Sequence, residues 1–404
     1  MNTQNIFTGI TAALLACTGA AVFVINTAAS AGFSQIELVS WTFSIYLLGG
    51  IASLTLTIIY KIPLIGAHSL ATIVFLSTSA MNYSLSQLAG SYIIAGLIIV
   101  FIGFTGLFDK LIKLLPTALI DAMMAGILTN YIVKVIPAIK ELPIVGFLTV
   151  AGFFVSPLIF KKVPRFIGAL LFGSLSLYIF YPIEMGEIGF VVPQVVIPEF
   201  SIVGAVSLSI PIAFLILSNE TAVALSSLKK NGYNPPVSRT IVTSGIATSI
   251  AGLFGGHAAG PGGMTTALCS SKEAGPKETR YWAAIIASLF IALFGIFAWF
   301  TIPLIEKLPE AFLTIIAGFS LLGILSNSLY SAFGNQNYYF SSIFTFIVAA
   351  SGVSVFQISS AVCALVIGII SSRIFKEGKG IIEAENEVKK GKHNYDENQE
   401  SIKV

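Results

Sequence analysis

The sequence predicts an all-α polytopic membrane protein of fourteen segments in two inverted repeats of seven, and three observations carry that expectation. The 404-residue chain is 55% hydrophobic and 10% charged, with a mean hydropathy of +0.90, far outside the range of soluble domains. Apolar runs of roughly 17 to 25 residues recur along its whole length, as expected of helices crossing about 30 Å of hydrocarbon. Two landmarks also recur in order: LIKLLPTA from Leu111 to Ala118 is echoed by LIEKLPEA from Leu304 to Ala311, and Ala125-Gly126 and Ala317-Gly318 follow the two prolines at nearly equal distance.

Taken in order, the segments read 6–30, 36–60, 62–80, 88–108, 114–136, 143–160, 165–183, 201–228, 237–255, 258–271, 280–303, 309–331, 338–353 and 355–375. The first lacks a basic leading region and is too long for a signal peptide, so it reads as a membrane helix. An even number of crossings puts both termini on one side. Lys61, Lys110, Lys113, Lys161, Lys162, Arg165, Lys229, Lys230, Arg239, Lys272, Lys277 and Arg280 fall in the connections on that side, against Lys134, Lys140 and Lys307 opposite, which places both termini in the cytoplasm and the chain in the cell membrane. Residues 1–190 then form the first repeat, 191–375 the second, and 376–404 a mobile cytoplasmic tail rich in Lys, Glu and Asn. Seven crossings per half is odd, so the second half enters from the opposite face. That arrangement predicts a site at mid-bilayer between corresponding interrupted segments.

The strongest interruption is LFGGHAAGPGGMTT, Leu253 to Thr266. Its glycines weaken a helix, and Pro261 disfavours a helical Gly260 while suiting a first helical position, so an apolar segment should stop near Gly255 and restart at about Pro261. The counterpart in the first half is IPLIGAHSLATIV, Ile62 to Val74, with Pro63 and Gly66 as breakers. The expectation is a half-helix in segment 3 and another in segment 10, their N-termini approaching each other. Unpaired N–H groups carrying about half a positive charge per helix end would then offer a place for a carboxylate.

Polar groups inside the apolar segments are few. Glu220 follows Ser218 and Asn219 in segment 8, and a carboxylate there is costly unless paired or protonated, so it reads as a proton-coupling and substrate-binding acid. Asp121 lies one turn beyond Pro116 and is the second proton-coupling candidate, with an acid at a helix start as the plain alternative. His68, Ser69, His257, Gly260, Gly262, Gly263, Thr265 and Thr266 complete the candidate substrate-binding set as donors or as bare backbone. Cys17, Cys269 and Cys363 lie in apolar segments without metal-ligand spacing. Gly260 to Gly263 lacks the Lys and Ser or Thr of a phosphate-binding loop, and no nucleophile and base pattern supports a hydrolase. Neither enzymatic activity, a cofactor, a metal nor nucleic acid is expected; the energy source would be an ion gradient.

Gly232 to Ser238, Phe254 to His257, Met264 to Cys269 and Arg280-Tyr281 together resemble the benzoate:proton symporter family, and Gly103 to Leu107, Pro116 and Ala125-Gly126 match it more loosely. The resemblance covers most of residues 5 to 375. It implies the seven-plus-seven fold shared with the uracil permease, a core of segments 1 to 4 and 8 to 11, a gate of segments 5 to 7 and 12 to 14, elevator-like movement and a homodimer. The chain departs from the family pattern at His68-Ser69-Leu70-Ala71, at Ala258 to Gly263 and at Asn219-Glu220-Thr221, and the glutamate is similar to that of nucleobase transporters. The expected function is proton-coupled transport of a small aromatic carboxylate such as benzoate. A nucleobase symporter and an uncoupled anion transporter of the same fold stand as alternatives.

Overall fold

A computed structural model describes residues 1–17, 19–108, 110, 116–159, 165–182, 189–334, 336–353 and 360–378. Helices α1 (Thr3–Cys17) and α2 (Gly19–Ser30) open the chain, followed by α3 (Gln35–Tyr60). The start of α3 is set by a reciprocal cap between Ser34 and Glu37, and its end by Lys61 in a left-handed conformation. After a two-residue strand β1 (Gly66–Ala67) come α4 (Leu70–Ser79) and α5 (Leu85–Thr105), the latter capped by the Ser84 and Gln87 pair and stopped at Gly106. Helices α6 (Thr117–Val133), α7 (Val135–Glu141), α8 (Pro143–Ile159) and α9 (Arg165–Phe180) complete the first half.

Residues 189–200 run extended, tied down through Gln194 N–H to the Ser40 hydroxyl, Val196 N–H to Leu253 C=O and Glu199 N–H to Ser86 C=O. The second half holds α10 (Ile202–Lys230), α11 (Val237–Gly252), β2 (Gly260–Pro261), α12 (Gly263–Ser270), α13 (Tyr281–Ile296), α14 (Ala298–Glu306), α15 (Glu310–Gly334), α16 (Tyr339–Ser351) and α17 (Ser360–Ile374). Among the described residues, seven helical stretches are long and apolar enough to cross a membrane, and five shorter helices are apolar. The protein is a multi-pass membrane protein, mostly helical.

Two groups of helices are visible in the packing. In one, α3 lies against α13 and α11, α5 against α11, α1 against α13, and α12 against α1 and the end of α10. The α5–α11 contact is close because glycines face it: a Cβ on Gly245 would stand 2.6 Å from the Gly96 carbonyl. In the other, α6 packs on α15 and α16, α16 on α17, and α8 on α9, with Val145, Phe166, Phe312, Ile315 and Ile316 in a core of their own.

Three differences from the sequence expectation have physical causes. The backbone at Gly260 and Pro261 is not merely irregular: it pairs antiparallel with Gly66 and Ala67, in the register Gly66 to Pro261 and Ala67 to Gly260. Pro261 is therefore extended, and the helix restarts at Gly263 rather than at the proline. The expected tail also begins later than Lys376, because the Glu377 carboxylate accepts the N–H groups of Phe340 and Ser341 at the start of α16. Residues 379–404 of that tail, together with Leu111 to Leu115 of the first repeat landmark, lie outside the described residues.

Candidate functional site

The site is built where two chain breaks meet. Helix α11 ends at Gly252, and Gly255 turns the chain with a φ of 78°, a conformation glycine adopts without penalty. The chain then crosses as β2 beside β1, and Gly262 N–H donates to the Ile65 carbonyl at 2.7 Å. Thr266 fastens the crossing from the next turn: its hydroxyl accepts Ile65 N–H and donates to Ile65 C=O, both at 3.1 Å. The starts of α4 and α12 are thereby held side by side.

Glu220 lies opposite those helix starts. It sits in a π-helical turn, Ile216–Thr221, within α10, the kind of local widening that re-aims side chains at functional sites. One carboxylate oxygen accepts Leu70 N–H at 3.1 Å and the Ser69 hydroxyl at 3.4 Å, and the other accepts Gly263 N–H at 2.9 Å. The N-termini expected to offer free donors are thus bridged by the chain's own carboxylate. Such charge-assisted bonds at the positive ends of two helices compensate an acid that would otherwise be costly at this depth.

A cavity of about 470 Å³ opens beside this bridge, within the usual size of small-ligand sites. One wall carries His68, Asn219, Glu220, Gly262 and Thr265; the facing wall carries Asp121 from α6 and Ser320, Asn327, Ser328 and Ser331 from α15. Ser331 donates a hydrogen bond to the Asp121 carboxylate. Leu15, Ala16, Leu70, Met124, Phe166 and Ile324 supply apolar lining.

Ser69, Ser218, Gly260, Gly263 and His257 stand behind the cavity lining, with His68 on it. Ser69 caps α4, accepting from Thr72 N–H, while Ser218 turns back to the Phe214 carbonyl of its own helix. Gly260 is held in the strand pair, and Gly263 presents its N–H to Glu220. His257 is fully buried, with Nδ1 accepting from the Trp41 indole at 2.8 Å. Indole only donates, so the His257 proton is on Nε2, which donates to the Ser69 carbonyl at 3.2 Å. Its role in this geometry is to orient the Ser69 turn. His68 contacts the Tyr46 hydroxyl through Nε2 at 3.2 Å, and Tyr46 in turn donates to the Ala16 carbonyl at 3.0 Å.

Sequence reading did not single out Trp41, Tyr46, Ser320, Asn327, Ser328 or Ser331. The α15 residues carried a usable signal, since Ser320, Asn327 and Ser331 recur at helical spacing on one face of a mostly apolar segment. Trp41 and Tyr46 carried none, because aromatic residues in a membrane helix are ordinary core.

A multi-pass helical chain with a partly polar cavity between two groups of helices, lined by an acid and by interrupted-helix N-termini, has the construction of a membrane transporter. The description that matches at the level of family is the benzoate membrane transport protein, over residues 1–374, and the chain belongs to that family. It is 28% identical over 384 residues to inner membrane protein YdcO of Escherichia coli (strain K12), covering 91% of this chain and 97% of that protein. It is also 28% identical over 376 residues to the benzoate membrane transport protein of Acinetobacter baylyi (strain ATCC 33305 / BD413 / ADP1), covering 92% and 95%. Among solved structures, the transmembrane domain of the cyanobacterium bicarbonate transporter BicA aligns with a TM-score of 0.59 at 15% identity, covering 91% of this chain and 97% of that one. The murine Solute Carrier 26 family member A9 anion transporter, in an inward-facing state, aligns with a TM-score of 0.56 at 14% identity, covering 92% and 68%. These two likenesses concern the fold.

Proposed function

We propose that the protein is a proton-coupled secondary transporter of a small aromatic carboxylate, with benzoate as the cargo. The observation that carries this reading is the Glu220 carboxylate bridging the starts of α4 and α12 on the wall of the cavity. Donors that hold one carboxylate can hold another. When Glu220 takes a proton, its claim on Leu70 N–H and Gly263 N–H weakens, and the cargo carboxylate can occupy them while the ring rests against Leu15, Met124 and Phe166. Proton and anion then load together, which is the requirement of symport.

The same reading supplies the larger movement. Fourteen segments in two inverted sets of seven, with half-helices in segments 3 and 10, would place α1 to α5 and α10 to α14 in a core and the remaining helices in a gate. The core would slide against the gate as an elevator, carrying Glu220 and the helix starts with it and leaving Asp121 and α15 behind. Both termini would be cytoplasmic, in the cell membrane, and two copies would pair as a homodimer.

Uptake of radiolabelled benzoate into proteoliposomes, with an imposed pH gradient and with unlabelled uracil as competitor, tests the proposal. Benzoate uptake driven by external acid, insensitive to uracil and much less responsive to the gradient in Glu220→Gln, is the expected result. Uracil uptake that benzoate does not inhibit would assign the protein to nucleobase symport, for which the glutamate in this position speaks. Uptake indifferent to the gradient in both wild type and Glu220→Gln would make it an uncoupled anion transporter.

A further inference from the structure

We propose that binding of one carboxylate in this cavity draws protons onto two side chains, Glu220 and Asp121, on opposite walls; the inference rests on the symport reading above. Among the described residues, the cavity is lined by two carboxylates, one imidazole, His68, and no lysine or arginine. The two acids occupy opposite walls and are compensated differently. Glu220 takes up the positive ends of α4 and α12, each worth about half a unit charge, so the bridge is close to neutral as it stands. An arriving carboxylate that accepts the same N–H groups leaves Glu220 an uncompensated anion unless it is protonated.

Asp121 raises the count by a separate route. It projects from α6 on the facing wall, and its side-chain partner is the neutral hydroxyl of Ser331 on α15. A cavity of 470 Å³ is about 10 Å across, so a bound anion lies about that far from it or nearer. Like charges about 10 Å apart in an effective dielectric of about 20 cost an anion roughly 15-fold in affinity. Protonating Asp121 removes that penalty. The other titratable groups nearby do not offset it: the His257 ring is neutral because its Nδ1 accepts from Trp41, and Tyr46 is engaged with Ala16 and His68. His68 is the remaining candidate for a proton, and the variants below separate it from Asp121.

The test is calorimetric titration of purified protein with benzoate, in buffers of differing ionisation enthalpy from about pH 6 to about pH 8, which counts protons taken up per ligand bound. Asp121→Asn and Glu220→Gln should each take up fewer protons than wild type, Asp121→Asn by up to about half a proton at the pH of greatest difference, and the double variant none. At the alkaline end Asp121→Asn should also bind benzoate roughly 15-fold more tightly than wild type. Asp121→Ser provides a second neutral side chain at the same place, and thermal unfolding of each variant shows that it is folded. Wild-type uptake matched at every pH by Asp121→Asn and Asp121→Ser overturns the proposal, and would move any proton beyond that on Glu220 to His68. Benzoate that fails to bind wild type at any pH overturns the reading of the cargo itself, and is told apart by the absence of binding heat.

Discussion

Replacing Gly66 by alanine probes the feature on which the site depends most directly. An added Cβ would stand 2.0 Å from the Gly260 carbonyl oxygen, 2.6 Å from its carbon and 2.5 Å from the Ser53 hydroxyl. Carbon and oxygen come no closer than about 3.3 Å even in favourable contacts, so the two strands must part by roughly 1.3 Å. The obstructing atoms are backbone, which cannot turn aside as a flexible side chain would. Overpacking of this kind costs about 1–3 kcal/mol, and loosening one or two bonds of the crossing, such as Gly262 N–H to Ile65 C=O, adds about 1 kcal/mol each. The sum is about 2–5 kcal/mol, and the same displacement separates Leu70 N–H from Gly263 N–H, so that one carboxylate no longer spans both. Thermal unfolding in detergent and benzoate uptake in proteoliposomes should therefore fall together in Gly66→Ala. Gly323, in α15, has no atom within 4 Å of its would-be Cβ and serves as the matched control. A Gly66→Ala protein as stable and as active as Gly323→Ala would refute the idea that the strand pair holds the two helix starts in place.

Two further substitutions test groups behind the cavity. Trp41→Phe keeps most of the ring but leaves the buried His257 Nδ1 without a donor, which should cost about 1–3 kcal/mol in thermal or denaturant unfolding and slow uptake through the loosened Ser69 turn. Thr266→Val should be costlier than Thr265→Val, by about 1–2 kcal/mol, because the Thr266 hydroxyl serves both the N–H and the carbonyl of Ile65 whereas Thr265 only turns back to Gly262. Equal stability of the two threonine variants would count against a fastening role for Thr266.

The helices were largely legible because hydropathy and capping act locally. Ser34 with Glu37 and Ser84 with Gln87 mark starts within a few residues of those expected, and the glycines after Ala251 mark a stop. The pairing of Gly66 with Pro261 was not legible, since a two-residue strand has no periodicity and its register is set by elements distant in the chain. For the same reason Pro261 reads as a helix start when taken alone and is extended in the fold. In the site, Glu220 stood out because a lone acid in an apolar segment needs a reason, and the facing helix starts supply one. What could not be foreseen is that its own oxygens would occupy the donors. That depends on the π-helical turn at Ile216–Thr221, and a single extra residue per turn leaves no mark in composition.

The strand pair also constrains how such a protein can change its diet. Because β1 and β2 clamp the two short helices to each other, the side that holds the Glu220 carboxylate behaves as a single casting, and any alteration there is felt by both halves of the molecule at once. Helix α15 carries no comparable clamp, and Ser320, Asn327 and Ser328 lie apart from the backbone that holds Glu220. On the transport reading proposed above, diversification of cargo shape would be free to proceed on one face of the chamber while the Glu220 face stays fixed.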